Sequence, residues 1–238
     1  MNKTKIPYSE FGWDLTRGCK HNCLDLSGQP YCYTRRYLKD PLNPKIFPER
    51  LSMPSKITKP SMVFVAPSGD IMGEWIKFDF IYSMFKTMNN CPRHIFQILT
   101  KNPVRYQEII EPLFTPNIWI GTSVTRMDDI GRIQLLRELN IPNVKFISFE
   151  PLLEYVTCDL RGIDWIIIGA KTSHNADTAE NLPLSKEFAK HLFRQIPPKV
   201  PVFIKPNLKW EYDIRKMPAE FYKWEREYRQ ADEQQNLF

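Results

Sequence analysis

Residues 94–124 read HIFQILTKNPVRYQEIIEPLFTPNIWIGTSV, and this stretch sets the pattern of the fold. Two apolar runs, at 94–101 and 117–124, flank an amphipathic segment at 104–114. Short, nearly continuous apolar runs are typical of strands buried on both faces, and an amphipathic segment is typical of a helix that covers them. The stretch therefore predicts a strand, a helix and a second strand parallel to the first.

The same alternation continues on both sides of this stretch. Further strands are predicted at 12–16, 61–67, 144–150, 164–170 and 201–205, and further helices at 33–38, 76–90, 128–139, 184–196 and 219–235. About seven parallel strands follow from this pattern, which fits a closed or partial barrel as well as a doubly wound sheet. In each of these folds, functional side chains gather at the carboxyl ends of the strands.

The composition favours a folded, cytoplasmic protein. Of the 238 residues, 42% are hydrophobic, which is enough for a substantial core. The first residues contain no apolar leader segment, and no stretch approaches the length of a membrane span. We therefore expect a cytoplasmic localisation and no membrane partner. Five prolines fall within residues 40–60, which we expect to form a long loop over the carboxyl ends of the strands.

The positive charge is concentrated in the first quarter of the chain. Residues 1–60 contain eleven Lys and Arg against five Asp and Glu, which accounts for the whole net charge of +6. The basic residues nearest the cysteine cluster described next are Arg17, Lys20, Arg35, Arg36 and Lys39. Such a set forms either a solvated surface with counter-charges for thiolates or a phosphate-binding patch.

Three of the five cysteines lie within fourteen residues, as Cys19-x3-Cys23-x8-Cys32, after the first predicted strand. In a chain without a secretion signal, such a cluster indicates a metal site more than a disulfide framework. Thiolates suit an iron-sulfur cluster or zinc. A cubane cluster held by three cysteines leaves one iron open for a small molecule, because the complete set is four. With His21 between the cysteines, a Cys3His zinc site is the alternative.

The cysteine segment resembles the signature of the radical S-adenosylmethionine (SAM) superfamily, because Cys-x3-Cys is followed by an aromatic residue directly before a third cysteine, Tyr31-Cys32. The superfamily usually has two residues between the second and third cysteines, and residues 24–30 look like an insertion. Over about residues 10–205 the chain also resembles a phage-associated family of short three-cysteine radical-SAM-like proteins, and more distantly the spore photoproduct lyases. The shared pieces are LTKNP at 99–103, WIGTSV at 119–124, FEPL at 149–152 and DWIIIG at 164–169.

This resemblance implies an α/β fold, a partial (β/α)6 TIM-like barrel with an additional strand and a C-terminal helix. Residues 1–208 would form the barrel domain, with the Pro-rich loop at 40–60, and residues 209–238 a C-terminal helical extension and tail. It also implies a 4Fe-4S cluster on Cys19, Cys23 and Cys32, with SAM on the open iron. Reductive cleavage of SAM would give a radical that abstracts hydrogen from a substrate, with a flavodoxin-type or ferredoxin-type electron donor as partner.

The resemblance places SAM across the strand ends. The residues expected to contact it are Tyr31, Ser68, Gly69, Asp70, Ser123, Glu150 and Gly169. Family members usually carry Gly-Gly-Glu where this chain has Gly169-Ala170-Lys171, so no role of that carboxylate carries over.

The same positions have structural alternatives. For Ser68 and Gly69 the alternative is an ordinary turn. For Glu150 it is a buried ion pair with Lys101 or Lys205, because an unpaired buried carboxylate is costly.

The sequence selects no catalytic residue and leaves the substrate open. A nucleic-acid substrate, in DNA repair or base modification, is expected from the basic first quarter, the phage-type relatives and the last five residues. These residues, QQNLF at 234–238, resemble the Gln-x-x-Leu-Phe motif that docks on sliding DNA clamps. The alternatives are a zinc-stabilised nucleic-acid-binding module without catalysis, and radical modification of a protein or peptide.

Overall fold

The alternating apolar runs form one main sheet in the computed structural model, which describes residues 1–109, 111–172 and 180–230. The strands are β1 (Asn2–Lys3), β2 (Phe11–Trp13), β3 (Thr16–Arg17), β4 (Lys45–Ile46), β5 (Met62–Val65), β6 (Ile95–Thr100), β7 (Ile118–Ser123), β8 (Lys145–Phe149), β9 (Trp165–Ile168) and β10 (Val202–Ile204). Within the described residues, eight of them hydrogen-bond in the order β1-β2-β5-β6-β7-β8-β9-β10. Only β1 is antiparallel to its neighbour, while β3 and β4 form a separate antiparallel pair.

The strand order confirms the partial barrel. From β2 to β10, the parallel strands of the main sheet follow one another in chain order. A doubly wound sheet would instead reverse its order at a switch point. The chain therefore has a singly wound α/β fold with six parallel strands, one additional parallel strand and a C-terminal helix.

The helices differ more from the predictions than the strands do. The described residues contain α1 (Phe78–Asn89), α2 (Gly131–Arg137), α3 (Leu182–Phe193) and α4 (Ala219–Trp224), the last continued by a π-helical turn at Glu225–Gln230. The predicted helix at 33–38 is a 3-10 helix, Tyr33–Arg36. The predicted helix at 104–114 is wrong, because two 3-10 turns occupy this region, Pro103–Glu108 and Glu111–Leu113. Pro112 lacks the N–H that a continuous α-helix would need at this position.

The strand side chains divide into two cores, because successive side chains point to opposite faces of a sheet. The outer core contains residues such as Val63, Ile98 and Ile147, together with the buried sides of the helices. The inner core is mostly aromatic, and its strand members include Phe64, Trp119, Phe146, Trp165 and Phe203.

The aromatic inner core closes the barrel at the amino-terminal ends of the strands. Trp165, the first residue of β9, has its ring 5.5 Å from that of Tyr8 and 5.8 Å from that of Trp119. Trp224 of α4 is buried in the same core, and its Nε1 donates to the carbonyl of Arg93, just before β6. The described residues therefore fill the interior at this end, and the cavity discussed below lies on the carboxyl-terminal side of this core.

The residues after β10 pack against the barrel. The amide of Ile204 donates to the carbonyl of Ile214, and the amide of Lys216 donates to that of Val202. The division into a domain at 1–208 and an extension at 209–238 stays a prediction. The part of the predicted helix beyond residue 230, and the QQNLF tail at 234–238, lie outside the described residues.

The Pro-rich loop at 40–60 was expected to lie over the carboxyl ends of the strands, and only its first part lies there. Its first residues, Pro41 and Leu42, lie beside the cysteines. Farther along, the carbonyls of Pro54 and Ile57 face the ring nitrogen Nε2 of His94, just before β6, at the opposite end of the barrel. The expectation is wrong for this second part, which is held at the amino-terminal end by the buried imidazole.

None of the helices in the described ranges is both long enough and apolar enough to cross a membrane.

The inner core makes a testable prediction about Trp224. Its side chain is 6% exposed, whereas Tyr222 on the same helix is 44% exposed. Changing Trp224 to Ala should lower the free energy of unfolding by about 3–5 kcal/mol, because it leaves a cavity in a packed core. Changing Tyr222 to Ala should alter it by only about 0.5 kcal/mol. Urea unfolding of the two variants measures the difference, and equal effects would show that α4 does not close the barrel.

Candidate metal centre and cofactor cavity

The cysteine loop begins where two backbone segments touch at the carboxyl ends of the strands. Gly18 has a positive φ of 81°, and its amide donates to the carbonyl of Ser68, which follows β5. A Cβ atom on Gly69 would lie 2.8 Å from Thr16 Cγ2 and 3.0 Å from the carbonyl oxygen of Gly18. Glycine at 69 therefore allows the loop to leave the barrel directly beside β5.

The three motif cysteines come together at this end of the barrel. Cys19, Cys23 and Cys32 line one small surface pocket, and the same three residues also line a large cavity. Burial raises the pKa of Cys19 to about 12, and the charges of Asp70, Cys23 and Cys32 act in the same direction. Thiolates are the metal-binding form, so a metal that binds here must displace the thiol protons.

The two ends of the insertion at 24–30, between the second and third cysteines, lie side by side. Leu24 and Pro30 face each other as an antiparallel bridge, and the amide of Tyr31 donates to the carbonyl of Cys23. Asp25 closes the loop internally and also pairs with Lys171, at 2.6 Å. The Lys171 ammonium lowers the pKa of the Asp25 carboxyl. The eight-residue spacing is therefore compatible with a three-cysteine site, because the loop returns Cys32 to the side of Cys23.

Asp70 connects the cysteine loop to the strands. Its buried carboxylate accepts hydrogen bonds from His21 Nε2 at 2.8 Å, from the Thr100 hydroxyl at 2.8 Å and from the amides of Met72 and Lys101. Burial acts to raise the pKa of Asp70, but the bonds from His21, Lys101 and Thr100 outweigh it and leave the pKa below its usual value. The carboxylate already has four donors, and they fix the position of the loop on β6.

The large cavity occupies the carboxyl-terminal half of the barrel and has a volume of about 630 Å³. Nine of the ten residues predicted to bind the cluster or SAM line it: Cys19, Cys23, Tyr31, Cys32, Ser68, Gly69, Asp70, Ser123 and Glu150. Gly169 is not part of the lining. A Cβ at Gly169 would lie 3.0 Å from Lys205 Cδ and 3.1 Å from Glu150 Cγ, so glycine here makes room for these two side chains. The roles of these residues toward SAM stay predictions.

Glu150 and Lys205 form an ion pair on the cavity wall, one of the two pairings that the sequence left open. Burial raises the pKa of Tyr8 well above its usual value, and the Glu150 carboxylate raises it further. Lys101 has a different partner, since its Nζ donates to the Tyr31 hydroxyl at 3.1 Å. The two lysines therefore belong to separate parts of one cavity.

Sequence reasoning missed Ser148. Its hydroxyl is buried on the cavity wall and has no hydrogen-bond partner among the described residues. Ser148 pairs in register with Ser123 on the neighbouring strand. The alternation in β8 could have identified it, because Phe146 and Ser148 are two residues apart and therefore share the inner face. A water or a polar group of a ligand could pair with this buried hydroxyl.

Three thiols beside one cavity are a donor set that fits a cubane cluster, because thiolates suit iron-sulfur clusters and three of them leave one iron open. The same thiolates also suit zinc. In the described ranges, no group of three or more His, Cys, Asp or Glu side chains is arranged to hold a metal ion. His21, the fourth ligand of the zinc alternative, donates from Nε2 to Asp70.

The family described as "Protein of unknown function (DUF5131)" matches residues 3–212 of the chain. The chain belongs to this family. No curated protein matches it.

Several solved structures of spore photoproduct lyase share the fold of this DUF5131 protein. The lyase complexed with dinucleoside spore photoproduct is 13% identical, with a TM-score of 0.55 over 83% of this chain and 63% of the lyase. A mutant lyase with bound AdoMet and dinucleoside spore photoproduct is also 13% identical, with a TM-score of 0.51 over 95% of this chain and 63% of the lyase. This DUF5131 protein thus spans 63% of the lyase chain, and the likeness shows the fold.

The hydrogen bonds of Asp70 make a pH-dependent prediction. Because its pKa is lowered on folding, the carboxylate stabilises the protein above its unfolded pKa of about 3.9, and this contribution is lost as the pH falls through the folded value. Changing Asp70 to Asn should therefore lower the free energy of unfolding by about 1.5–3 kcal/mol at pH 7. The difference from the unmutated protein should shrink below about pH 3.9.

Urea unfolding at pH 7, 5 and 3 checks this prediction. The exposed Asp128 provides the control, since Asp128→Asn removes a carboxylate on the surface. A difference for Asp70→Asn that stays constant down to pH 3 would contradict a stabilising role for the charge.

Proposed function

We propose that this DUF5131 protein is a radical SAM enzyme that binds a 4Fe-4S cluster through Cys19, Cys23 and Cys32. The observation that carries the proposal is that these three thiols line the same cavity as six of the seven residues expected to contact SAM. The parallel strands of the partial barrel end at this cavity, which is where this class of fold carries its chemistry. The shared fold with spore photoproduct lyase supports the same function.

The proposal assigns the hard chemistry to the cofactors and the positioning to the protein. When bound, the cluster with SAM on its open iron supplies the electron that cleaves a carbon–sulfur bond of SAM, and the resulting radical removes hydrogen from a substrate. The aromatic inner core excludes water from the amino-terminal side of the cavity. Ser148 has an unpaired hydroxyl that could hydrogen-bond to SAM. The Glu150 carboxylate and the Lys205 ammonium place a negative and a positive charge on the cavity wall. Burial raises the pKa of the Cys23 thiol, and the Lys101 ammonium acts in the opposite direction with a smaller effect.

We propose a nucleic-acid substrate that enters as a single extruded or unpaired nucleotide. A cavity of about 630 Å³ has the size of a small-molecule site and is too small for a duplex. At its mouth, Tyr33 and Tyr37 are about half exposed, with their rings 5.8 Å apart, and Arg36 and the exposed Lys5 also line the cavity. Exposed aromatic rings beside cations are typical of single-strand binding, where bases stack and phosphates pair.

The cluster makes the first prediction of this proposal. Protein purified without oxygen should be brown and contain about four irons and four sulfides per chain. Cys19→Ala, Cys23→Ala or Cys32→Ala should remove the colour, while Cys91→Ala and Cys158→Ala should keep it, because neither residue lines the cavity. Iron and sulfide analysis with SAM-cleavage assays measures these effects. A colourless protein with one zinc per chain would instead support the zinc-stabilised binding module.

The substrate class makes a second prediction. Tyr37→Ala should weaken the binding of a fluorescent single-stranded oligonucleotide by about 1–3 kcal/mol, the usual contribution of one stacked base. Tyr37→Phe should bind nearly as well as the unmutated protein, because it keeps the ring and loses the hydroxyl group, which bonds to Ser68. Fluorescence anisotropy across a salt series measures both, and affinity should fall as salt rises. An oligonucleotide affinity that changes neither with salt nor with either substitution would favour a protein or peptide substrate.

A further inference from the structure

Four lysines line the large cavity: Lys5, Lys101, Lys171 and Lys205. Three of them already have a partner. Lys101 donates to the Tyr31 hydroxyl. Lys205 pairs with Glu150. Lys171 pairs with Asp25 at 2.6 Å and with Glu180 at 2.5 Å. A lysine that already has such a partner loses this contact when it turns to bind a phosphate, and the loss opposes binding.

Lys5 differs from the other three. It is exposed, and in the part of the chain that the structure describes its ammonium has neither an ion pair nor a hydrogen bond. Glu10, the acid nearest to it in the sequence, is already engaged. Its carboxylate accepts from the amide of Met62 at 2.9 Å and pairs with Arg229. Lys5 therefore places on the cavity wall a positive charge that no described acid contacts.

The backbone that carries Lys5 is held on both sides of this residue. The strand before it, β1, pairs with β2. The amide of Thr4 donates to the carbonyl of Glu10 at 3.0 Å, and the amide of Ile6 donates to Thr4 Oγ1 at 3.2 Å. Tyr8, three residues after Lys5, is buried in the aromatic inner core. A ligand therefore has to order only the Lys5 side chain, which lowers the entropic cost of the contact.

Another part of the cavity rim is closed by contacts between the cysteine segment and the residues after β9. Asp25 pairs with Lys171. Arg36 donates to the carbonyl of Thr172 at 3.2 Å. Lys171, Thr172 and Arg36 all line the cavity. A ligand that entered between these two segments would have to break both contacts, whereas a ligand that binds the Lys5 ammonium breaks none among the described residues.

The two exposed tyrosines that line the cavity are also held in place. The Tyr37 hydroxyl donates to Ser68 Oγ at 3.0 Å. The Tyr33 hydroxyl donates to the carbonyl of Pro67. The rings therefore form a fixed surface on which a base can stack. A nucleotide has a base for the rings and a phosphate for Lys5, whereas a nucleoside has only the base.

We propose that Lys5 is the phosphate-binding residue of the substrate site and that it positions one nucleotide of a single strand through a neighbouring backbone phosphate. This inference rests on the proposed function and narrows its substrate, because the site then selects a nucleotide within a chain over a free nucleoside. A contact from a lysine to a phosphate fixes the register of a bound strand and does not read its sequence. The contribution of Lys5 is therefore the same for strands of different sequence.

The test removes the charge of Lys5 and compares the effect with that of a neighbouring lysine. Lys3 is exposed, lies two residues earlier on β1 and does not line the cavity, so Lys3→Ala is the matched control. Each full-length protein is purified without oxygen, and its binding of a short fluorescent single-stranded oligonucleotide is measured by fluorescence anisotropy. At low salt, Lys5→Ala should bind about tenfold more weakly, as expected for one lost hydrogen bond to a charged group. Lys3→Ala should bind as the unmutated protein does.

A salt series tests whether the contact is ionic. Each phosphate that a protein neutralises on a single strand contributes about 0.7 to the slope of log K against log salt concentration. Lys5→Ala should reduce the magnitude of this slope by about 0.7. Lys5→Arg and Lys3→Ala should leave the slope unchanged, because both keep a positive charge at position 5.

Neutral linkages in the oligonucleotide locate the phosphate. Each member of a series carries one methylphosphonate in place of a phosphodiester, and each is bound to the unmutated protein and to Lys5→Ala. At one position the methylphosphonate should weaken binding to the unmutated protein and should have no further effect on Lys5→Ala, because both changes remove the same contact. Losses that add fully at every position would overturn the pairing of Lys5 with a phosphate.

The outcomes separate this inference from the proposed function. A protein that binds no single-stranded oligonucleotide overturns the nucleic-acid substrate and this inference with it. Oligonucleotide binding that is unchanged in Lys5→Ala, or equally weakened in Lys3→Ala, overturns the role of Lys5 alone. So does a free nucleoside that binds as tightly as the same nucleoside with its phosphate.

Discussion

The buried carboxylate of Asp70 is the contact on which the geometry of the site depends. It accepts a hydrogen bond from His21 of the cysteine loop and others from Met72, which follows β5, and from Thr100 and Lys101 at the end of β6. The carboxylate therefore joins the cysteine loop to the ends of both strands. A carboxylate is a good connector here because it accepts several hydrogen bonds at once and stays ionised when they outweigh the cost of burial. The remaining contacts of the cysteine loop are its backbone hydrogen bonds to Ser68 and Pro41 and side-chain contacts such as Lys171 with Asp25 and Lys101 with Tyr31.

The barrel has two ends of opposite character, and this division produces the cavity. Large aromatic side chains, with Trp119 and Trp165 at their centre, fill the interior at the amino-terminal ends. At the carboxyl ends the inward-facing positions carry small or charged residues instead, among them Ser123, Ser148 and Glu150. One strand pattern therefore supplies a packed core at one end and a polar site at the other, which is how parallel α/β folds combine stability with function.

The two departures from the sequence pattern that this chain resembles have local structural explanations. The insertion at 24–30 closes on itself through Asp25, so it adds length without moving Cys32 away from Cys23. Lys171, at the position where the resemblance would place a glutamate, pairs with Asp25 of that insertion. One ion pair therefore joins the 24–30 loop to the segment that follows β9.

The sequence by itself determined the strands and the motif cysteines, because buried parallel strands are continuous apolar runs and a short Cys-x3-Cys-x8-Cys segment is local in the chain. It could not determine the helix types, since Pro112 interrupts a segment whose apolar spacing is otherwise helical. Only the tertiary structure decided that Glu150 pairs with Lys205, because the two residues are 55 positions apart. It also decided that Arg35 lines the small surface pocket and Arg36 the large cavity, since consecutive side chains of a 3-10 turn point in different directions.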